Sequence, residues 1–251
     1  PVPKQFQLSF VPKGEGSAQP GGNDVDHALD DHVLGMPRKV AVVVIGVEAY
    51  REQNFGPARW ARNDAMAMAR YVKTVGRAAD DHVRVLTNAE ASKAGVEMAL
   101  EQWLPQEAEK DGSVIVVFSG LLTVDPQTGT VFLLPHDADP EVGEHFVSLR
   151  RVQTALAKLP VSRAVLILDA RLVPFPMSSA QGIPKMPLWN PSRALGPNGK
   201  LVQVVSLSDG QTAHSSDRVS HSLLTYAILM GMKGEADFNG DGVVGLRELG
   251  D

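Results

Sequence analysis

Four runs of consecutive aliphatic residues constrain this chain more than any other feature of it. They are Lys39–Gly46 (KVAVVVIG), Ser113–Phe118 (SVIVVF), Arg163–Leu168 (RAVLIL) and Leu201–Ser206 (LVQVVS). The β-branched first run, like the third strand Ser113–Phe118, has no polar alternation, which marks a strand buried on both faces. Helical patterns separate the runs. Residues from about Ala58 to Val75 place Ala61, Ala65, Met68, Ala69 and Val72 on one face, with Gly76 as the stop. Ala91–Leu104 reads as a second helix ended by Pro105, Ser148–Leu159 as a third capped by Ser148, and Ser220–Met232 as a fourth. Shorter strands are expected at His82–Leu86 and Thr130–Leu134. Strands alternating with helices predict an α/β domain of three layers, a mostly parallel sheet flanked by helices on both faces. Ligands of such sheets bind beyond the carboxyl ends of the strands, which directs attention to the residues after Phe118 and Leu168.

Composition narrows the chemistry. The 251 residues contain no cysteine. That excludes a disulfide scaffold, cysteine-ligated zinc, an iron–sulfur cluster and a cysteine nucleophile. The formal charge is −5, and acids collect at the two ends. Residues 1–37 set Lys4 and Lys13 against Glu15, Asp24, Asp26, Asp30 and Asp31; residues 234–251 set Arg247 against Glu235, Asp237, Asp241, Glu248 and Asp251. No basic stripe stands out, so nucleic acid is not expected as a partner. The longest apolar runs are far too short for a membrane span. With no initiator methionine and no signal peptide, the chain is expected to begin inside a longer precursor or to be an excised piece.

Two segments fall outside the alternation. Residues 1–37 read as a flexible lead-in, rich in glycine around 14–23. Its His27 and His32 lie among acids but five residues apart, which does not place them on one helix face; a solvated turn and a metal cluster both remain open. Residues 171–200 carry six prolines and form a long loop, either functional and mobile or an ordered surface loop stiffened by proline.

The order of elements resembles the caspase-like fold of the bacterial metacaspase group of cysteine peptidases. The matching segments are VAVVVIGVEAY (40–50), ARNDAMAMARYV (61–72), GSVIVVFSG (112–120), FLLPHDAD (132–139), AVLILDA (164–170) and SLLTYAILMGMKGEADFNGDGVVGLREL (222–249). The resemblance implies one domain over residues 38–251. In active members the third strand ends in Ser-Gly-His-Gly, whose histidine is the base, and a later strand ends in Asp-Ala-Cys or Asp-Ser-Cys, whose cysteine is the nucleophile. Here Ser119-Gly120 is followed by Leu121, and Asp169-Ala170 by Arg171. Leucine has nothing to titrate, and a guanidinium stays protonated. The resemblance therefore implies a natural pseudoenzyme with a degenerate dyad at Leu121 and Arg171.

Other polar residues keep a second possibility open, a hydrolase with a relocated nucleophile. Ser119, Ser206, His136, His214 and His221 are its candidates, although no Gly-x-Ser-x-Gly elbow is present. The resemblance also implies that Asp169 belonged to a pocket for basic substrate side chains. Asp169 then either pairs with Arg171 or accepts hydrogen bonds from loop amides.

Residues 237–248 read DFNGDGVVGLRE, the spacing of an EF-hand-like calcium loop. Asp237, Asn239 and Asp241 take positions one, three and five. Gly242 makes the sharp turn, Val243 offers its carbonyl at seven, and Glu248 gives two oxygens at twelve. Hard oxygen donors favour calcium over zinc or magnesium. The bland alternative is a tight Asn-Gly-Asp-Gly turn. Together these features predict a non-catalytic binding or scaffold module with a calcium ion and a protein or peptide partner. A calcium-stabilised structural domain of a larger surface or secreted assembly is the third reading.

Overall fold

The computed structural model describes residues 25–26, 39–52, 56–76, 78–139, 143–175, 200–206, 215–238 and 240. Nine strands and five α-helices lie among them. The strands are β1 (Val40–Gly46), β2 (Val83–Thr87), β3 (Ser113–Val124), β4 (Val131–Leu134), β5 (Val147–Ser148), β6 (Arg163–Leu172), β7 (Leu201–Val205), β8 (Ser215–Ser216) and β9 (His221–Ser222). The helices are α1 (Ala61–Thr74), α2 (Lys93–Met98), α3 (Leu104–Glu107), α4 (Leu149–Lys158) and α5 (Leu223–Met230).

The parallel strands run in the order β2-β1-β3-β6-β7, while β4 pairs antiparallel with the far half of β3 and β5 antiparallel with β4. Side chains on alternate positions face opposite layers. Val42, Val44, Val117, Val165 and Ile167 pack against Met68, Tyr71 and Val72 of α1 and Ile228 and Leu229 of α5. Val43, Val114, Val116, Leu166 and Leu168 pack with Val96, Leu100 and Leu104 and with Leu149, Val152 and Leu156 of α4. The three-layer α/β architecture with a mostly parallel sheet is therefore present. The helix face expected from sequence is buried as well: Ala61, Ala65, Met68, Ala69 and Val72 are each at most 5% exposed.

Three expectations need correction. The second helix does not stop at Pro105. It widens at Ala99–Trp103, where the Leu104 amide reaches back to the Ala99 carbonyl, and then runs on to Glu107. Pro105 falls in the first turn of α3, where its missing N–H is harmless. The third strand does not end at Phe118. It continues to Val124 because Leu121–Val124 find a new antiparallel partner in β4. The last helix starts at Leu223 rather than Ser220, since Ser220 has φ 55°, His221–Ser222 pair with β8, and the Ser222 hydroxyl caps the helix through the Thr225 amide. Ser148 caps α4 as expected, accepting from the Arg151 amide at 3.3 Å.

Most of the lead-in, the 176–199 part of the proline-rich loop and residues 239 and 241–251 lie outside the described residues. Val25 and Asp26 are described. Val25 is fully buried, its carbonyl accepts from the Tyr71 hydroxyl at 2.8 Å, and the Asp26 carboxylate pairs with Arg70 at 2.8 Å.

At the end of β1 the backbone of α1 comes very close. A Cβ on Gly46 would sit 2.5 Å from the Ala61 carbonyl oxygen and 2.6 Å from the Ala65 Cβ. Neither can yield without moving the helix. Gly46→Ala should lower the unfolding free energy by about 1–3 kcal/mol, the usual effect of overpacking. Urea titration of the variant checks this, and an unchanged midpoint would refute the close approach.

Candidate functional site

The switch point of the parallel sheet lies between β1 and β3, where the chain order turns from leftward to rightward. β1 stops at Gly46, and the Val47 amide makes a last bond to the Ser119 carbonyl at 2.9 Å. The next outward amide on β3 is that of Leu121, at the point where β3 passes from β1 to its antiparallel partner β4. The Tyr50 hydroxyl accepts its hydrogen at 2.8 Å. Burial holds the Tyr50 hydroxyl far above its ordinary pKa, so it stays neutral.

β3 and β6 continue past this point side by side. Their register places Leu121 opposite Arg171 and Ser119 opposite Asp169. The two positions that the resemblance aligns with histidine and cysteine are thus adjacent. Leu121 is fully buried. Arg171 is half-buried and donates from Nη2 to the Pro57 carbonyl at 3.5 Å.

Asp169 does not pair with Arg171 among the described contacts, and it does not serve loop amides either. Its Oδ2 accepts from the Ser222 hydroxyl, from the Thr225 hydroxyl at 2.6 Å and from the Thr225 amide at 3.1 Å. Asp169 is thus an acceptor for the first turn of α5, where a negative charge also meets the positive end of the helix dipole. Burial raises its pKa, and the hydroxyls of Ser222, Thr225 and Ser206 oppose that rise.

A second buried carboxylate, Asp64 of α1, stands beside it at 2% exposure. Asp64 Oδ1 accepts from His221 Nδ1 at 2.8 Å and from the Ser222 amide at 3.2 Å, and Oδ2 accepts from the Ser119 hydroxyl at 3.2 Å. Burial pushes Asp64 up to about 6, while the bond from His221 pulls the other way. The fully buried His221 ring has Nε2 3.5 Å from Asp26 Oδ2 and 3.5 Å from Asn63 Nδ2. Asn63 also donates to the Ser220 carbonyl at 2.7 Å. Three elements far apart in sequence are locked together by this network: the Val25–Asp26 contact, α1 and the β8–β9 hairpin.

The order of these groups differs from that of a serine triad. In a serine triad the histidine stands between serine and acid. Here the acid stands between Ser119 and His221. Ser206 Oγ accepts from the Ala170 amide at 3.2 Å, and the His136 ring donates from Nδ1 to the Ala49 carbonyl at 2.7 Å. No serine–histidine hydrogen bond occurs among the described residues, and His214 lies outside them. Of the candidate calcium ligands only Asp237 is described. Asn239, Asp241, Val243 and Glu248 lie outside, as do His27 and His32. Among the described residues no group of three or more histidines or acids is placed to hold a metal. No described helix is long and apolar enough to cross a membrane.

Sequence reasoning missed Asp64, Asn63, Ser222, Thr225 and Tyr50. Asp64 was detectable: it lies three residues after Ala61 and four before Met68, in the middle of the buried stripe of α1. An acid at such a position must find partners inside.

No protein-family model matches the chain, and no curated protein matches it. Among solved structures, protein GSU0716 from Geobacter sulfurreducens is similar at a TM-score of 0.57 with 14% identity, over 78% of this chain and 82% of that one. This likeness shows the fold alone. Caspase-1 from Spodoptera frugiperda is similar at a TM-score of 0.47 with 11% identity, over 90% of this chain and 78% of that one. That likeness is too distant to bear on the site.

Two outcomes follow from the buried carboxylates. Because the folded-state pKa of Asp64 is raised, its contribution to stability is complete below about pH 4 and is lost as pH rises through about 6. Asp64→Asn lacks this titration. In urea titrations from pH 4 to 7.5 the wild type should lose ground relative to the variant as pH rises, and the opposite trend would contradict the assignment. Ser222→Ala removes both the helix cap and a donor to Asp169, and should lower the unfolding free energy by about 1–3 kcal/mol.

Proposed function

We propose that this chain is a catalytically inactive caspase-like domain that serves as a binding or scaffold module, with a calcium ion held by the 237–248 loop. The observation that carries the reading is the pairing of Leu121 with Arg171 on adjacent strands. A cysteine peptidase needs a thiolate and an imidazole there, and these two side chains supply neither. Ser119, the nearest substitute nucleophile, is 2% exposed and donates to Asp64 rather than to a histidine, which supports the reading. Support for the family reading is the order of its motif segments along a three-layer parallel sheet, with Ser119-Gly120 and Asp169-Ala170 meeting in register.

The calcium reading rests on the donor set. Asp237, Asn239, Asp241 and Glu248 would give side-chain oxygens and Val243 its carbonyl, a hard-oxygen shell suited to calcium. The start of the loop fits. Gly240 at position four has φ 70°, a left-handed turn that brings its amide 2.9 Å from Asp237 Oδ1. A bound calcium would neutralise carboxylates that otherwise repel one another, and it would stabilise the end of the domain.

Incubation with peptide substrates carrying basic or acidic residues, with and without calcium, should yield no turnover. Turnover abolished by Ser119→Ala or His136→Ala would establish a relocated active site instead. For calcium, the melting midpoint should rise with added ion, and Glu248→Gln should remove most of the rise. No rise at millimolar calcium in protein first stripped with chelator would remove the ion from the reading.

A further inference from the structure

A cleft of about 650 Å³ opens on the α2–α4 side of the sheet, between α4 and the limb made of the widened turn and α3. Neither Leu121 nor Arg171 lines it. Its apolar lining is Leu100, Pro105, Ala155, Leu159 and Pro160. Leu100 and Pro105 both reach it although they are five residues apart, a spacing that the i→i+5 turn at Ala99–Trp103 brings onto one side.

The charged groups around the cleft do not balance. Arg151 holds both oxygens of Glu101, with Nη2 at 2.9 Å from Oε2. Glu97 is held by Arg151 and by Lys93, the latter at 2.9 Å. The Arg151 guanidinium lowers the pKa of Glu101, and Lys158 adds to that effect through space. Both acids are thus engaged, while two cations of α4 that line the cleft, Arg150 and Lys158, stay exposed. Among the described residues no carboxylate lies within ion-pair distance of either. At the Pro160 end the Asp111 amide donates to the Pro160 carbonyl at 3.1 Å, and Lys200 donates to the Leu159 carbonyl at 2.7 Å. These two residues are of opposite sign and leave the surplus unchanged. In a protein of net charge −5, an apolar floor with two unmatched cations is a local reversal of sign.

Spacing is the second constraint. Arg150 and Lys158 are eight residues apart in α4, which at 1.5 Å per residue separates them by about 12 Å along its axis. Thr154 stands midway, its hydroxyl turned back onto the Arg150 carbonyl at 2.7 Å. An extended chain rises about 3.4 Å per residue and sets alternate side chains on one face, so its residues i and i+4 stand about 13 Å apart with i+2 between them.

We infer that this cleft docks an extended acidic segment of a partner protein, with carboxylates at i and i+4 against Arg150 and Lys158 and an apolar side chain at i+2 over Ala155 and Leu159. The inference rests on the reading of the domain as a binding module and gives its partner a chemistry and a place. Two discrete cations on one wall, with Glu101 on the other, suit two discrete carboxylates. A nucleic acid would bring closely spaced phosphates, which Glu101 opposes.

The test uses the full chain and fluorescein-labelled nonapeptides, blocked at both ends, with Val at position five of a Ser-Gly background. One peptide carries Glu at positions three and seven, a second Gln at both, a third Lys at both, and a fourth Glu at positions four and six. Fluorescence anisotropy at low ionic strength reads the affinities. The first peptide should bind about 10-fold more tightly than the Gln peptide, the sum of two partly exposed ion pairs. The fourth should lose most of that advantage, because its acids point away from the face that carries Val. Arg150→Gln and Lys158→Gln should each cost about 3-fold, the double variant should abolish the preference, and added salt should weaken it. Ala155→Gln adds bulk to the floor without charge and should weaken the Glu and Gln peptides alike. Melting curves identify any variant that fails to fold, in which case the wild-type spacing preference and its salt dependence decide. Equal binding of the Glu and Gln peptides, or a preference that survives in the double variant, would overturn the cleft as the site while leaving a binding module. Tighter binding of the Lys peptide, or of a labelled single-stranded DNA nonamer, would overturn it too. No binding of any peptide would also remove the cleft and would leave the module reading to other surfaces.

Discussion

The ten-residue parallel pairing of β3 with β6 is the contact on which the rest of this molecule depends. It runs from Ser113 opposite Arg163 to Leu122 opposite Leu172, longer than any other pairing in the sheet. Because side chains alternate along a strand, a slip of one residue would exchange the two faces of β6 and carry its core residues into the wrong layer. The register therefore fixes more than hydrogen bonds. It sets Leu121 against Arg171, aims Ser119 toward α1, and turns Asp169 toward α5.

Around that pairing the two faces of the sheet differ in chemistry. The α2–α4 face is built of aliphatic side chains with phenylalanines at its edge, where Phe132, Phe146 and Phe175 have ring centroids within 6.2 Å of each other. The α1–α5 face holds two buried carboxylates among its valines. Burial raises the pKa of both, and the neighbouring Asp169 adds to the rise at Asp64. Donors from the β9–α5 junction reach both, and Ser222 serves each: its amide bonds Asp64 and its hydroxyl bonds Asp169 Oδ2, while the buried Asp169 Oδ1 has no hydrogen-bond partner among the described residues. Such a junction specifies geometry more sharply than apolar packing, because a carboxylate without its donors is costly to bury.

Much of this was legible in the residues. Unbroken aliphatic runs identify doubly buried strands, and the 3.6-residue stripe of α1 identifies its buried face. Boundaries were less legible where tertiary contacts override local signals. Pro105 reads as a stop, yet the widened turn before it lets the helix continue. Ser119-Gly120 reads as the end of a strand, yet β4 extends it. The positions of Leu121 and Arg171 follow from the resemblance, but their register follows only from the sheet. Asp64 and His221 lie 157 residues apart, and no local pattern links them. The idea that Asp169 and Arg171 would neutralise each other overlooked the nearer donors on α5.

The docking of Val25 against Tyr71 also has a consequence for how the domain comes apart. Val25 and Asp26 precede β1 in the sequence, yet their carbonyl and carboxylate accept from Tyr71 and Arg70 of α1, and Asp26 Oδ2 lies 3.5 Å from the buried His221 ring. Displacing them exposes a fully buried valine and breaks these bonds together. The stretch before β1, α1 and the β8–β9 hairpin are therefore expected to open as one cooperative unit rather than one element at a time.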